Sequence, residues 1–262
     1  MNLNSKLRLI AAGTAAPVAF PTAALAEGPY VGIGAGVSLP GDSKNRGQFN
    51  TAVPATPDFG PIAADTPLAW DTNFDRGLAL SGQVGYKFDN GFRLEVEGNY
   101  SRYNVDSHTG FAVGGANIDA ANVAILTRGA PAAANPSVGA FAATDTGRVR
   151  NIGVFANVFY DVETGTAFQP YVGVGAGVNW VSARFRPSDV AIADDTSAGI
   201  AYQLMAGASF ELSPQAELFG QYTYRANGNR QDIELDLLPA TLGVQNHQSI
   251  VMAGVRFKFG NR

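Results

Sequence analysis

Hydrophobic and polar residues alternate with a period of two along most of the chain after residue 27, which predicts β-strands. In YVGIGAGV, which begins at Tyr30, apolar positions alternate with glycines. In FRLEVEGNYS, which begins at Phe92, apolar residues alternate with Arg93, Glu95 and Glu97. Most predicted strands therefore have one apolar face and one face that is bare or polar. In residues 150–161 the second face holds Phe155 and Phe159, so the sequence leaves the sidedness of that strand open.

This alternation recurs in eight segments that are separated by stretches rich in Ala, Gly, Pro, Asn and Asp. The predicted strands are residues 29–39, 77–88, 92–103, 150–161, 170–184, 198–212, 215–225 and 248–259. Short and long connections alternate between them, which is typical of outer-membrane barrels. The pattern predicts an all-β fold: an eight-stranded antiparallel up-and-down transmembrane β-barrel with long extracellular loops and short periplasmic turns.

A soluble barrel is the structural alternative, but it would place large apolar residues inside and charges outside. Aromatic residues concentrate at the two ends of the predicted strands, as expected where rings meet lipid head groups. The predicted aromatic girdle consists of Phe88, Phe92, Tyr100, Tyr160, Trp180, Tyr202, Phe210, Tyr222, Tyr224, Phe257 and Phe259. This distribution favours the membrane barrel, with the charged faces turned to the lumen.

The first 26 residues have the pattern of a secretory signal peptide. Lys6 and Arg8 precede a weakly apolar stretch, and Ala24-Leu25-Ala26 provides a small-x-small cleavage site before Glu27. A membrane anchor is the competing interpretation, but Pro17 and Pro21 interrupt the segment. We expect residues 1–26 to be removed after export and residues 27–262 to form the barrel.

The glycines after Tyr30 could suggest a phosphate-binding loop, and nearly the same string, YVGVGAGV, returns at Tyr171. A dinucleotide-binding loop needs the spacing G-x-G-x-x-G at a strand-to-helix turn. Here the spacing is G-x-G-x-G within a strand, so all three glycines lie on one face. We interpret them as bare lumen positions that leave room for long side chains on other strands.

The amino-acid composition excludes several classes of function. Charged residues make up 15% of the chain, the net charge is −4, and there is no cysteine. These values exclude disulfides and thiol catalysis, and they provide no basic surface for nucleic acid. His108 lies in a predicted loop, apart from the second histidine, so we expect no metal site and no cofactor.

The predicted lumen face carries four cationic and four anionic side chains. They are Lys87, Arg93, Arg256 and Lys258, and Glu95, Glu97, Glu211 and Glu217. Opposite charges in a narrow tube should pair, because an isolated buried charge is costly. The network is either a structural plug or a narrow, gated conduit for ions. Hydrolysis by Glu95 and Glu97 is disfavoured because residues at i and i+2 lie in a filled interior.

The sequence NHQS at 246–249 resembles the His-x-Ser of outer-membrane lipid A deacylases, which are also eight-stranded barrels. His247 would activate Ser249 if an acidic residue oriented the imidazole. In those enzymes the acid follows the serine, but no Asp or Glu occurs after Asp236 here. A deacylase is therefore a remote alternative, and we expect a protein that is not an enzyme.

Residues 41–76 and 105–147 are long connections rich in Ala, Pro, Gly and Asn, and they are unusually apolar for solvated loops. Loops of this length are often functional or disordered. Two interpretations stay open: the connections pack on one another over the barrel mouth, or they bind a partner.

Several segments resemble the OmpA-like and opacity-protein-like outer-membrane β-barrels of Gram-negative bacteria. These segments are GYKFDNGFRLEVEGNYSR, NVFYDV, PYVGVGAGVNWV, AYQLMAGASFELSP and SIVMAGVRFKF. The resemblance implies a membrane anchor whose variable surface loops contact the host or the environment. The sequence departs from the pattern of this family in two respects: we expect no peptidoglycan-binding domain after the barrel, and Phe259 lies three residues before the last residue.

The resemblance implies a location in the bacterial outer membrane and a structural role: membrane integrity, surface display and adhesion. The expected partners are outer-membrane lipid and lipopolysaccharide, the barrel assembly machinery through the C-terminal strand, and a host or environmental surface ligand. A monomer is favoured over an oligomer, and a porin-like channel for ions or small solutes is the alternative function.

Overall fold

A computed structural model describes residues 26–143, 147–185, 193–228, 231–235, 239–244 and 247–259. Ala24 and the rest of the predicted leader up to residue 25 lie outside the described residues. The backbone of Ala26 and Glu27, the other two residues of the predicted cleavage site, belongs to the first strand.

The described chain contains thirteen strands and two short helices. In chain order the strands are β1 (Ala26–Pro40), β2 (Ser43–Phe49), β3 (Pro67–Phe74), β4 (Gly77–Phe88), β5 (Phe92–Val113), β6 (Ala116–Asn117), β7 (Arg148–Asp161), β8 (Phe168–Phe185), β9 (Ala193–Ser213), β10 (Ala216–Asn227), β11 (Gln231–Glu234), β12 (Ala240–Val244) and β13 (His247–Lys258). The helices are α1 (Ala124–Thr127) and α2 (Val138–Ala142). No helix in the described part of the chain is long and apolar enough to cross a membrane.

Eight of the strands close into a barrel whose order is β1-β4-β5-β7-β8-β9-β10-β13. Strand β1 closes the ring because it pairs with both β4 and β13. Every neighbouring pair is antiparallel, so the predicted all-β, eight-stranded up-and-down fold is confirmed. Short turns join β4 to β5, β7 to β8 and β9 to β10 at one end of the barrel.

Side chains alternate between the two faces of the barrel wall, as the period of two requires. Burial alternates strictly along β7, for example. The outer face presents large apolar side chains, and Ile33 and Ile200 are 64% and 74% exposed. A band of exposed aliphatic residues around the whole barrel is the surface that a bilayer requires.

The long connections at the other end differ from the predicted loops, because they form an extracellular sheet. Strand β5 continues ten residues beyond the predicted end at residue 103. Its extension pairs with β3, and the sheet continues through β2 and β12 to β11, while β6 pairs with β5. We call this sheet, with α1, α2 and β5 from Val105 onward, the cap.

The cap has its own hydrophobic core. Its buried members are Phe49, Leu68, Trp70, Phe111, Val138, Ala142, Ala240 and Leu242. Partly buried apolar residues such as Val53, Ile62 and Leu235 pack against them. This core explains the apolar composition of residues 41–76 and 105–147, and of the two interpretations of these connections the structure realises mutual packing.

Candidate functional site

The barrel lumen is filled by a network of charged side chains. The eight predicted members all lie on inward-facing positions, and two further residues, Asp161 and Arg225, join them. Among the residues that the structure describes, the network therefore comprises five cations and five carboxylates. The cations are Lys87, Arg93, Arg225, Arg256 and Lys258, and the carboxylates are Glu95, Glu97, Asp161, Glu211 and Glu217.

One ion pair spans the lumen near mid-height. Arg225 on β10 and Glu97 on β5 come from strands that are opposite each other in the eight-membered ring. Arg225 Nη2 lies 2.8 Å from Glu97 Oε1, and Nη1 donates to Asn99 Oδ1 at 2.7 Å. Arg225 Nε donates to Gln203 Oε1 at 2.8 Å, and the guanidinium stacks over the ring of Phe155. This pair ties two opposite walls of the barrel together.

A second layer of lumen charges lies closer to the short turns, and in it two arginines each stack on an aromatic ring. The guanidinium carbon of Arg93 lies 4.1 Å from the centre of the Phe159 ring, and that of Arg256 lies 4.1 Å from the centre of the Phe219 ring. Arg93 Nη2 is 3.2 Å from Asp161 Oδ1. Stacking on aromatic faces and pairing with carboxylates together offset the cost of burying these charges.

Bare glycines make room for these aromatic rings, as the G-x-G-x-G pattern predicts. A Cβ atom added at Gly173 would overlap the ring of Phe159, and one at Gly177 would lie 2.9 Å from Cγ of Phe155. On β1, a Cβ atom at Gly34 would lie 3.1 Å from Cζ of Phe219. The glycines of β1 and β8 are therefore part of the lumen packing.

Asp161 and Arg225 are absent from the predicted network, although both follow the parity of their strands. Arg225 shares its face with Glu217, and Asp161 shares its face with Phe155 and Phe159. Asp161 lies 3.5 Å from Lys87 Nζ, a cation that was already predicted to face the lumen. Both residues are the last positions of their predicted strands, 150–161 and 215–225, so applying the inward parity to the strand ends would have added them to the network.

The charges near the short-turn end of the lumen are the least buried. Lys258 Nζ lies 3.5 Å from Glu211 Oε1 and 3.8 Å from Glu217 Oε2. The Glu211 side chain is 28% exposed, compared with 3% for that of Glu97. The network is therefore partly exposed to solvent at this mouth and shielded from solvent at mid-height.

The predicted girdle residues all point away from the lumen. At the short-turn end they include Phe92, Tyr160 and Phe210, which are half-exposed, and Phe92 contacts Tyr160 edge to face. At the cap end, Tyr100, Ile152 and Trp180 are neighbours in register on β5, β7 and β8. We call these three residues the upper aromatic row after its two aromatic members, Tyr100 and Trp180.

His247 and Ser249 lie on the outer face of β13, with Val251 following on the same face. Ser249 Oγ is 2.9 Å from the hydroxyl oxygen of Tyr222, and the His247 ring lies 6.4 Å from the Tyr224 ring. The serine hydroxyl is thus engaged by a girdle tyrosine on the neighbouring strand. In the described part of the chain, no group of three or more His, Asp or Glu side chains is arranged to hold a metal ion.

The cap encloses an apolar cavity of about 340 Å³. Small-molecule sites are typically apolar pockets of about 300–1,000 Å³ with few polar groups. The aromatic part of the wall comes from Phe49, Trp70 and Phe111, and α2 contributes Val138 and Ala142. Its size and lining match those of a small-molecule site.

Arg128 is the charged residue in the wall of this cavity. It follows α1 with a left-handed backbone conformation (φ 60°), and its Nη2 donates to the carbonyl oxygens of Pro54, Phe59 and Gly60. Its guanidinium lies over the ring of Phe59. Within the described ranges no carboxylate pairs with it. The wall therefore carries one positive charge that the protein does not neutralise.

A buried histidine supports the cap sheet next to the cavity wall. His108 Nδ1 lies 2.8 Å from Thr72 Oγ1, and its ring meets Trp70 and Phe111 edge to face. Thr72 Oγ1 also accepts from Asn45 Nδ2 at 2.6 Å. The threonine hydroxyl proton is then available to Nδ1, which favours the neutral imidazole.

Burial lowers the pKa of His108 from 6.5 to about 4. The unfolded cap therefore binds this proton between pH 6.5 and 4, whereas the folded cap does not. We therefore expect the free energy of unfolding of the cap to be unaffected by protonation of His108 above pH 6.5. It should fall by about 3 kcal/mol as the pH is lowered from 6.5 to 4. Urea titrations that follow Trp70 fluorescence in a Trp180→Phe background measure it. A His108→Gln variant with the same pH dependence would contradict the assignment.

Fold and surface together define the class: a transmembrane β-barrel with an extracellular cap. A sequence model of the surface antigen family matches residues 63–261, and the chain belongs to this family. An outer membrane protein of Gluconacetobacter diazotrophicus is 28% identical over 234 residues, which cover 85% of this chain and 52% of that protein. The chain thus spans about half the length of this curated relative.

A solved structure has the same fold. The outer membrane protein OprG of Pseudomonas aeruginosa superposes with a TM-score of 0.53 at 14% identity, covering 90% of this chain and 98% of OprG. Neisserial surface protein A has a TM-score of 0.42 at 18% identity, covering 88% of this chain and 97% of that one. This protein is accordingly an outer-membrane β-barrel protein of the surface antigen family, and it resides in the bacterial outer membrane.

Proposed function

We propose that the barrel is a closed membrane anchor and that the cap is the functional part, displayed on the cell surface to bind a ligand. The observation that carries this proposal is the cavity of about 340 Å³ inside a folded cap, above a lumen crossed by the Arg225–Glu97 pair. A lumen tied at mid-height favours the plug over the ion conduit.

The cavity wall specifies the chemistry of the ligand. Phe49, Trp70 and Phe111 favour an apolar or aromatic body, because burying such a body releases water from apolar surface. The unneutralised Arg128 favours a negative group or a strong acceptor on the same molecule. We therefore propose a small amphipathic anion, or an apolar side chain beside an acidic group on a surface partner.

Binding of two naphthalene probes to the protein in nanodiscs tests this function. We expect the anionic probe 1-anilinonaphthalene-8-sulfonate to bind, and the neutral probe N-phenyl-1-naphthylamine to bind more weakly. Ala142→Phe, which fills the cavity, should abolish both signals, whereas Ala143→Phe at the adjacent exposed position should preserve them. Arg128→Gln should weaken the anionic probe about tenfold and leave the neutral probe unchanged. Equal binding to Ala142→Phe and to the unaltered protein contradicts the proposed site.

The closed anchor has its own test, which is single-channel conductance of the refolded protein in a planar bilayer. Silence from protein that is shown to be folded supports the plug. Discrete current steps would instead support the alternative function, a narrow channel. Deleting residues 105–147 is a poor test of ligand binding, because Phe111, Val138 and Ala142 of the cap core would be lost with the cavity.

A further inference from the structure

Four arginines cluster on the outer surface of the barrel, next to the cap. Arg102 on β5 lies directly opposite Arg150 on β7, and Arg148 on β7 lies directly opposite Arg184 on β8. All four side chains are exposed. Together with Tyr100 and the hydroxyl-bearing Ser182 and Thr196, they line a concavity of about 220 Å³.

The cluster has an excess of positive charge. Like charges directly opposite each other on neighbouring strands destabilise a sheet. Within the described parts of the chain no acidic side chain lines the concavity, and Arg102, Arg148 and Arg150 make no ion pair. Three cations remain at the concavity when Arg184 is set aside. An external anion would therefore stabilise this surface.

The height of the cluster on the barrel identifies the source of that anion. Arg102 and Arg150 lie two residues beyond Tyr100 and Ile152 of the upper aromatic row, about 7 Å further along their strands toward the cap. Arg148 is the next outward-facing residue on β7 in the direction of the cap. Because aromatic rows mark the membrane–water interface, the arginines lie at the head groups of the outer leaflet. In Gram-negative outer membranes these head groups carry the phosphates of lipid A.

We propose that Arg102, Arg148 and Arg150 form a binding site for a phosphate group of lipid A in the outer leaflet. Guanidinium groups bind phosphate oxygens through paired, charge-assisted hydrogen bonds. The Ser182 and Thr196 hydroxyls, which are 2.7 Å apart, provide neutral partners at the same site. The concavity faces sideways above the lipid-exposed band, so a membrane phosphate reaches it more readily than a soluble polysaccharide does. The site is independent of the cap cavity and of its ligand.

Titration of the full-length protein in detergent micelles with diphosphoryl lipid A tests this site. The variant Arg102→Gln/Arg150→Gln removes the opposed pair, and we expect its Kd for lipid A to rise at least about tenfold. The matched control Lys44→Gln/Arg46→Gln removes two positive charges from the cap and should retain the Kd of the unaltered protein. Lipid A without phosphates should bind the unaltered protein as weakly as diphosphoryl lipid A binds the double variant.

Stability without lipid A separates a lost site from a lost fold. Because Arg102 and Arg150 repel each other, the double variant should be at least as resistant to urea as the unaltered protein in micelles free of lipid A. An unchanged Kd for lipid A overturns the proposal, and so does equal binding of phosphate-free lipid A. Binding of a sulfated polysaccharide that depends on these arginines, without binding of lipid A, also overturns it.

Discussion

Replacing Glu97 with alanine is expected to lower the free energy of unfolding of the barrel by about 3–5 kcal/mol, because it leaves a buried charge without its partner. Arg225 is 2% exposed, so bulk solvent does not reach its guanidinium to replace the carboxylate. Glu97 Oε2 also accepts from Asn157 and Gln203, which would lose this acceptor. Urea titration in lipid vesicles, read by the heat-modifiable migration of the folded barrel, measures the loss.

Two control variants isolate the cause. Glu211→Ala removes a carboxylate at the partly exposed mouth of the lumen, where solvent screens the charge of Lys258, and should cost no more than about 1 kcal/mol. Glu97→Met/Arg225→Met removes both partners of the buried pair and should recover much of the loss, since a hydrophobic pair often replaces a buried ion pair without penalty. Equal losses of stability for Glu97→Ala and Glu211→Ala would show that the buried Arg225–Glu97 pair contributes no more than the partly exposed pair at the mouth.

Trp70→Ala is expected to have the second large effect, and the effect should be confined to the cap. Trp70 is buried and stacks on Phe111 with ring centres 5.4 Å apart. Removing a buried tryptophan typically costs about 3–5 kcal/mol, and the cap core is small. We expect the cap to become sensitive to proteases within residues 43–74 and 105–143, while the barrel keeps its heat-modifiable migration.

The matched control for Trp70→Ala is Thr109→Ala on the neighbouring strand β5. Thr109 is exposed and in register with Asp71, so its loss removes no core contact. Proteolysis of this variant should match that of the unaltered protein. Simultaneous loss of the cap and of the barrel in Trp70→Ala would show that the two parts unfold as one unit.

The barrel could be predicted because its information is local. Lipid faces one side of each strand and the lumen faces the other, so the period of two alone separates Phe92 from Arg93 and Val96 from Glu97. Inward parity likewise placed the lumen charges of β4, β5 and β13. Pairing partners could not be read in the same way, because Glu97 and Arg225 lie 128 residues apart and meet only when the ring closes.

The cap could not be predicted for the same physical reason, since its strands pair with segments that are distant in the sequence. Its strands are short, and β2 pairs with β12 through neighbours such as Phe49 and Ala240, which are far apart in the sequence. No single segment carries enough alternation to stand out from a loop rich in Ala, Gly and Pro. The apolar composition of these segments was the one available signal, and it did not distinguish mutual packing from a partner surface.

The arginine cluster depends partly on information in the sequence and partly on the tertiary structure. The sequence contains Arg102, Arg148 and Arg150 as separate residues, and the parity of their strands points them outward. Only the register between β5 and β7 sets Arg102 against Arg150, one row above Tyr100 and Ile152.

By itself, the sequence indicated which face of most strands meets lipid, because that choice depends on neighbours two residues apart. For residues 150–161, only the structure showed that Phe155 and Phe159 lie on the inner face. The tertiary structure alone decided which charges pair across the lumen, how the cap encloses its cavity and which arginines gather at the membrane surface. These features depend on contacts between distant segments, whose relative positions are set only when the barrel closes.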